Sequence, residues 1–152
     1  MTKSAMIAAL YAVLTIALAP ISYGQLQVRV SEALTALAYF EPAAIPGLFI
    51  GCVLANIYGG LGLWDIFGGS TLTLLAALLT WLIGLFFKKK TKWHTYVYRG
   101  SLIGLLPPVA INAFGVAYIL KIVLGLPYWA SVVYVGIGQT IAVYLLGYPL
   151  LI

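Results

Sequence analysis

The sequence predicts an all-α integral membrane protein with six transmembrane helices, and three observations lead to that fold class. Hydrophobic residues make up 64% of the 152 residues and charged residues only 7%. Such a composition excludes both an ordinary soluble domain and a disordered chain. The apolar residues form six runs separated by proline, glycine and lysine. The basic residues, which outnumber the acidic ones by 8 to 3, are concentrated in one of these breaks.

Each apolar run predicts one helix, because a span of the bilayer needs about 20 apolar residues. In chain order the predicted helices cover residues 4–21, 31–40, 43–58, 70–87, 100–124 and 128–152. The second and third are short or joined at an angle. Proline and glycine mark the breaks at Pro20, Pro42 and Gly125, and Ser70 is the expected N-cap of the fourth helix.

The N-terminal run is expected to remain in the protein. Residues 17–19 read Ala-Leu-Ala and resemble a signal-peptidase site, but Pro20 would follow the cut and disfavours cleavage. We therefore expect a single transmembrane domain over residues 1–152.

The distribution of basic residues predicts that both termini are cytoplasmic. With six crossings and the N-terminus inside, six basic residues lie on the cytoplasmic side and only Arg29 and Lys121 lie outside. The six are Lys3, Lys88, Lys89, Lys90, Lys92 and Arg99. A net charge of +5 can indicate nucleic-acid binding, but these residues do not form a basic face interleaved with aromatics, so no nucleic-acid partner is expected.

Polar residues in so apolar a chain indicate where it binds a ligand. Gln25, Gln27 and Arg29 alternate with apolar residues, so all three project to one side of an extended segment. The predicted topology puts this segment and residues 56–65 on the outer side. We therefore expect a small-molecule site in an outward-facing cavity. The candidate binding residues are Gln25, Gln27, Arg29, Glu32, Asn56, Trp64, Asp65, Ser70, Asn112, Phe114, Tyr118 and Gln139.

Simpler structural roles are open for several of these residues. Arg29 and Glu32 are three residues apart and can pair at a helix start. Asn112 and Gln139 can form hydrogen bonds between helices. Trp64 and Tyr118 fall near a predicted membrane interface, where aromatic belts are normal. Outside this set, Cys52 is expected to be a small core residue and His94 to be solvated, with no metal site.

The first helix carries a face of small residues suited to close helix packing. Ala5, Ala8, Ala9 and Ala12 form two overlapping pairs at a spacing of four residues. This face can serve internal packing or contact with a partner.

No motif indicates an enzyme or a cofactor. The sequence has no phosphate-binding loop, no nucleophile elbow and no zinc-protease motif. The chain is also small for a self-sufficient transporter built from inverted repeats. We therefore expect a binding subunit that takes its energy from partners.

The sequence resembles the QueT family. The resemblance rests on Gln25–Leu34 (QLQVRVSEAL), Glu41-Pro42, Asn56–Gly60 (NIYGG) and Asp65-Ile66, and it extends over essentially the whole chain. Members are substrate-binding S components of energy-coupling factor (ECF) transporters in prokaryotic plasma membranes. The resemblance implies a six-helix S-component bundle that takes up a queuosine precursor. It also implies that the chain assembles with a transmembrane T component and two ATPase subunits, and that the alanine face docks on the T component.

Queuosine precursors are deazaguanines, so the resemblance also implies roles for the candidate residues. Glu32 or Asp65 would accept hydrogen bonds from the paired N–H groups of the base. The side-chain amides of Gln25, Gln27, Asn112 or Gln139 would form hydrogen bonds with its carbonyl and ring nitrogen. An aromatic side chain would stack on the base, a second carboxylate would hold an aminomethyl cation, and Arg29 would orient a carboxylate. The alternatives are an S component for another flat nutrient such as a vitamin or a purine-like base, a small helical channel, and an assembly subunit without a ligand.

Overall fold

The computed structural model describes residues 2–23, 28–90 and 92–152, and this part of the chain is helical without a strand. The predicted all-α class is therefore confirmed. The helices are α1 (Thr2–Ala17), α2 (Val30–Tyr39), α3 (Ala44–Gly59), α4 (Trp64–Lys90), α5 (Trp93–Leu124) and α6 (Tyr128–Leu150). Glycines in the left-handed conformation end α3 and α5, at Gly60 (φ 67°) and Gly125 (φ 68°).

The first predicted helix is divided in two. α1 ends at Ala17, and a single helical turn, Ala19–Ser22, follows it. Pro20 lies in the first turn of this short helix, where its missing N–H costs nothing. The proline therefore starts a new turn instead of continuing α1, and the prediction of one helix over residues 4–21 was wrong.

α2 is a 3-10 helix of ten residues, far longer than most helices of this kind. Three residues per turn align Ala33, Ala36 and Tyr39 on one face, and all three are buried. The small side chains allow close packing, because a Cβ added to Gly147 of α6 would lie 2.8 Å from the backbone oxygen of Ala33. α2 is thus an inner helix of the bundle.

α4 and α5 both begin earlier than predicted, with six or seven more residues at the N-terminal end of each. Wide π-helical turns at Trp64–Gly69 and Tyr96–Gly100 lead directly into the regular helices. Ser70 therefore lies inside a continuous helix, and its prediction as an N-cap was wrong. The sequence signal at Gly68 and Gly69 marks a change of helical geometry and not a helix start.

α1 and α3 approach each other unusually closely. A Cβ at Gly47 would lie 2.7 Å from the backbone oxygen of Ser4, and a Cβ at Gly51 would lie 2.8 Å from that of Ala8. α3 then contacts α4, α4 contacts α5, and α5 contacts α6, while α2 packs against α4 and α6. Glycine and alanine spacing thus determines how α1, α2 and α3 fit together.

Polar side chains lie inside the bundle and large apolar side chains lie outside it. Arg29, Glu32, Asn56 and Asp65 are buried, whereas many leucine, isoleucine and aromatic side chains are exposed. This is the reverse of a soluble protein and is typical of a surface that faces lipid. α4, α5 and α6 are long and apolar enough to cross a membrane. α1 and α3 have 16 residues each, and α2 at about 2 Å per residue is shorter than the bilayer core, so the six-span count stays a prediction.

The two ends of the bundle differ in charge as the topology predicts. Lys3 pairs with Glu41 at 2.5 Å, so the start of α1 lies beside the α2–α3 turn. The Tyr39 hydroxyl donates to the Tyr96 oxygen at 2.9 Å, which brings the lysine-rich α4–α5 connection to this same end. Arg29 and Asp65 lie away from it. The cytoplasmic location of this end stays a prediction.

Candidate functional site

Glu32, at the start of α2, is the centre of a buried polar cluster. Tyr11 of α1 donates its hydroxyl hydrogen to Oε1, and Asn112 of α5 donates from Nδ2 to Oε2 at 3.2 Å. The Thr73 hydroxyl of α4 lies 3.4 Å from Oε1. The carboxylate is only 1% exposed. Four helices thus meet at one carboxylate, and each of the other three supplies a hydrogen-bond donor.

Arg29 pairs with Asp65 and not with Glu32. Its Nη2 lies 3.6 Å from Oδ2 of Asp65, and both side chains are buried. The guanidinium also lies 5.5 Å from the ring centroid of Tyr23, within the range of a cation–π interaction. The pairing between Arg29 and Glu32 that their spacing suggests is therefore not formed.

Cys52 of α3 lies between the carboxylate of Glu32 and the Arg29–Asp65 pair. Its Sγ is 3.5 Å from the Thr73 hydroxyl and 4.0 Å from Nη1 of Arg29. Asn56 Nδ2 approaches the same sulfur at 3.5 Å and donates to the backbone oxygen of Asp65 at 2.8 Å. Cys52 is buried as expected, but it also contacts polar groups and joins the two halves of one continuous cluster.

Several buried polar atoms of the bundle have no hydrogen-bond partner among the described residues. Asn112 and Asn56 each donate through Nδ2, so their Oδ1 atoms remain free, and Oε1 of Gln139 is also free. The hydroxyl of Ser70 is buried without a partner as well. Unpartnered buried polar atoms are costly. Nη2 of Arg29, a donor, and Oδ2 of Asp65, an acceptor, also have no hydrogen-bond partner. Together these atoms indicate a place where a ligand would supply both donors and acceptors.

The predicted site residues divide into three groups. Hydrogen bonds and close contacts connect Arg29, Glu32, Asn56, Asp65 and Asn112, and Gln139 and Ser70 are buried. Trp64, Tyr118 and Phe114 are more than half exposed and line surface grooves at α4 and α5, so the structure does not bring them to the cluster. Gln25 and Gln27 lie outside the described residues.

Sequence reasoning missed Tyr11, Thr73 and Thr15. Thr15 Oγ1 lies 2.6 Å from the hydroxyl of Ser31, which anchors the start of α2 against α1. The available signal was the hydroxyl itself, since a phenol or threonine in an apolar helix needs a partner when it is buried. Tyr11 and Thr15 are four residues apart and so share one face of α1.

The alanine face of α1 has both an inward and an outward part. Ala8 and Ala12 are buried, and Ala8 packs against Gly51 of α3. Ala5 and Ala9 are exposed. They line a groove of about 590 Å³ together with Pro46, Ile50 and Leu54. Close packing within the chain therefore uses half of this face, and the other half remains accessible.

Comparisons with known proteins show the family of this chain. The sequence profile of the QueT transporter family matches residues 1–152. The "Queuosine precursor transporter QueT" of Lactococcus lactis subsp. cremoris (strain MG1363) is 32% identical over 126 residues, which are 82% of this chain and 73% of that protein. No solved structure matches the chain significantly. The match over the whole chain, together with the buried polar cluster in an apolar helical bundle, shows that this protein belongs to the QueT transporter family.

Proposed function

We propose that the chain is the substrate-binding S component of an ECF importer for a queuosine precursor. It captures the precursor from outside the cell and delivers it inward when partner subunits hydrolyse ATP. Family membership and the name of the Lactococcus relative support transport of such a compound. No catalytic step is assigned to this chain, since hydrolysis belongs to the partners.

The observation that carries the proposal is the buried carboxylate of Glu32 with donors on three neighbouring helices. A deazaguanine base presents adjacent N–H groups on its amide and amino edge. A carboxylate accepts two such hydrogen bonds in a matched, charge-assisted geometry. Tyr11 and Asn112 donate to different oxygens of the carboxylate and hold it in place.

Asp65 has a supporting role in this proposal. Its carboxylate faces Arg29 at 3.6 Å, so its negative charge already has a counter-ion in the protein. Gln25 and Gln27 would form hydrogen bonds with the carbonyl or the ring nitrogen of the base. Gln139 and Asn112 would form hydrogen bonds with further polar atoms of the ligand.

The T component would dock on the exposed half of the alanine face of α1. Ala5 and Ala9 open a groove there without any large side chain of α1, and small residues permit close helix approach in a membrane. Ala9→Trp should therefore abolish co-purification with the T component and the two ATPase subunits, while ligand binding by the isolated chain persists. Leu10→Trp, on a neighbouring exposed face of α1, should leave assembly intact.

Calorimetric titration of the purified chain in detergent tests the binding function. A queuosine-precursor base should bind with a stoichiometry of one, and guanine and thiamine serve as controls. Glu32→Gln should raise the dissociation constant by more than about tenfold, as expected for the loss of a buried charged partner. Binding of thiamine instead would favour an S component for another nutrient. Conductance in bilayers without other proteins would favour the channel alternative. If the chain shows neither ligand binding nor conductance, the assembly role remains.

A further inference from the structure

Two adjacent side chains at the start of α2 attach it to α1. Glu32 accepts a hydrogen bond from the hydroxyl of Tyr11, and the hydroxyl of Ser31 lies 2.6 Å from that of Thr15. Tyr11 and Thr15 are four residues apart and so lie one turn apart on one face of α1. All four residues are at most 1% exposed, so water does not compete for these hydrogen bonds.

The number of hydroxyl hydrogens decides the direction of the hydrogen bond between Ser31 and Thr15. By distance alone either hydroxyl can donate. Thr15, however, has one hydroxyl hydrogen, and its Oγ1 lies 2.8 Å from the backbone oxygen of Tyr11, which can only accept. Thr15 therefore donates to that oxygen, and Ser31 donates to Thr15. α2 thus donates one hydrogen bond to α1 and accepts the other from it.

The two hydrogen bonds together fix the orientation of α2 around its own axis. α2 is a 3-10 helix, in which successive side chains point about 120° apart. An attachment at Glu32 alone would allow α2 to turn about that contact. The second attachment at Ser31 removes this freedom, because rotation or sliding of α2 against α1 lengthens at least one of the two hydrogen bonds. The direction of the Glu32 carboxylate within the polar cluster therefore depends on Ser31 and Thr15.

We propose that Ser31 and Thr15 are positioning residues of the ligand site, which hold the carboxylate of Glu32 in the direction in which it receives the ligand. The inference rests on the proposed function, since it requires that Glu32 binds the ligand. Neither hydroxyl has to touch the ligand, because the hydrogen of each is already donated within the protein. Loss of either hydroxyl allows α2 to turn, so ligand binding weakens while the bundle stays folded.

Calorimetric titration with aminomethyl-deazaguanine as the probe tests the role of Thr15. Thr15→Val removes the hydroxyl with little change of shape and should raise the dissociation constant at least about threefold, as for loss of a neutral hydrogen bond. Thr15→Ser keeps the hydroxyl and should bind within about twofold of the wild type. Thr80→Val is the matched control and should bind as the wild type does, since Thr80 is a fully buried threonine of α4 whose hydroxyl has no partner among the described residues.

A second background separates positioning of Glu32 from a general effect on the fold. Ser31→Ala should raise the dissociation constant at least about threefold in the wild-type chain. In Glu32→Gln the same change should add less than about 1.5-fold, because the carboxylate that Ser31 positions is absent. An equal loss of affinity in both backgrounds would overturn the inference. If Glu32→Gln does not fold or bind, the comparison of Thr15→Val with Thr15→Ser and Thr80→Val decides.

The titrations also distinguish failure of this inference from failure of the proposed function. Wild-type affinity in both Thr15→Val and Ser31→Ala would overturn the positioning role and leave the proposed function standing. A folded wild-type chain that binds no deazaguanine base would overturn both. The unfolding temperature of each variant in detergent shows whether a loss of binding occurs in a folded protein.

Discussion

Arg29 and Asp65 are 36 residues apart in sequence, and their charged groups lie 3.6 Å apart in the interior of the bundle. The pair connects the segment before α2 to the first turn of α4. Burial makes each partner dependent on the other, because removal of one leaves an isolated charge away from water. The pair keeps the guanidinium at Asp65 and not at Glu32, which lies only three residues from Arg29 in sequence.

Asp65→Asn should destabilise the protein strongly, because Arg29 would lose its counter-ion. We expect a loss of about 3 kcal/mol or more in the free energy of unfolding. The double variant Arg29→Met with Asp65→Leu removes both charges and should recover at least half of that loss. Thermal unfolding in detergent of this double variant and of its two single variants, Arg29→Met and Asp65→Leu, completes a double-mutant cycle and measures the coupling. Additive effects of the single variants would contradict a mutual role.

Tyr11→Phe should weaken ligand binding while it leaves the fold intact. The phenol donates to Glu32, and a hydrogen bond to a charged group contributes about 1.5–3 kcal/mol, so an increase of about tenfold or more in Kd is expected. Tyr118→Phe is the matched control, since Tyr118 is exposed on the outer surface. Calorimetry with a queuosine-precursor base measures both variants. Equal affinities would argue that Tyr11 does not support the site.

Gly51→Ala should push α1 away from α3 and thereby disturb the site. The added Cβ would lie 2.8 Å from both the Ala8 backbone oxygen and the Tyr11 Cβ. We expect a destabilisation of about 1–3 kcal/mol, as for overpacking elsewhere, and weaker ligand binding. Gly136→Ala is the control, because its Cβ would meet Ala113 at 3.6 Å, an ordinary contact. The unfolding temperature should be lower for Gly51→Ala than for Gly136→Ala. An unchanged unfolding temperature for Gly51→Ala would show that α1 can move away from α3 without loss of stability.

The Lys3–Glu41 pair should contribute stability that depends on pH. The hydrogen bond from Lys3, and then that from the Ala43 backbone N–H, hold the pKa of Glu41 below its usual value of 4.5. A carboxyl group with a lowered folded-state pKa stabilises the fold above its unfolded pKa, and this contribution is lost as the pH falls through the folded pKa.

Lys3→Met should therefore lower the unfolding temperature slightly at about pH 7, and this effect should disappear as the pH falls below 4.5 and through the folded-state pKa of Glu41. The pair is exposed, so salt should reduce the difference at the higher pH. Unfolding temperatures of the wild type and Lys3→Met across this range check the prediction. A difference that is independent of pH would show that Lys3 acts through packing instead of charge.

The sequence by itself determined the class of the protein and the location of most helices. Composition and apolar run length are local properties, so the helices at Ala44–Gly59 and Tyr128–Leu150 begin and end within two residues of the prediction. The rarity of polar residues in an apolar chain similarly identified Arg29, Glu32, Asn56, Asp65 and Asn112 as a group. Burying such groups is costly in a bilayer, so each one indicates a partner or a site.

Only the tertiary structure decided how these residues pair. The spacing along the chain suggested that Arg29 pairs with Glu32. The packing of α3 and α4 instead brings Asp65 to Arg29. Glu32 then accepts hydrogen bonds from Tyr11 and Asn112. Hydrogen bonds and ion pairs depend on distances of a few ångströms between helices that are far apart in sequence. Periodicity indicates which face of a helix is apolar but not which neighbouring helix that face contacts. For this reason only the tertiary structure identified Tyr11 as the partner of Glu32.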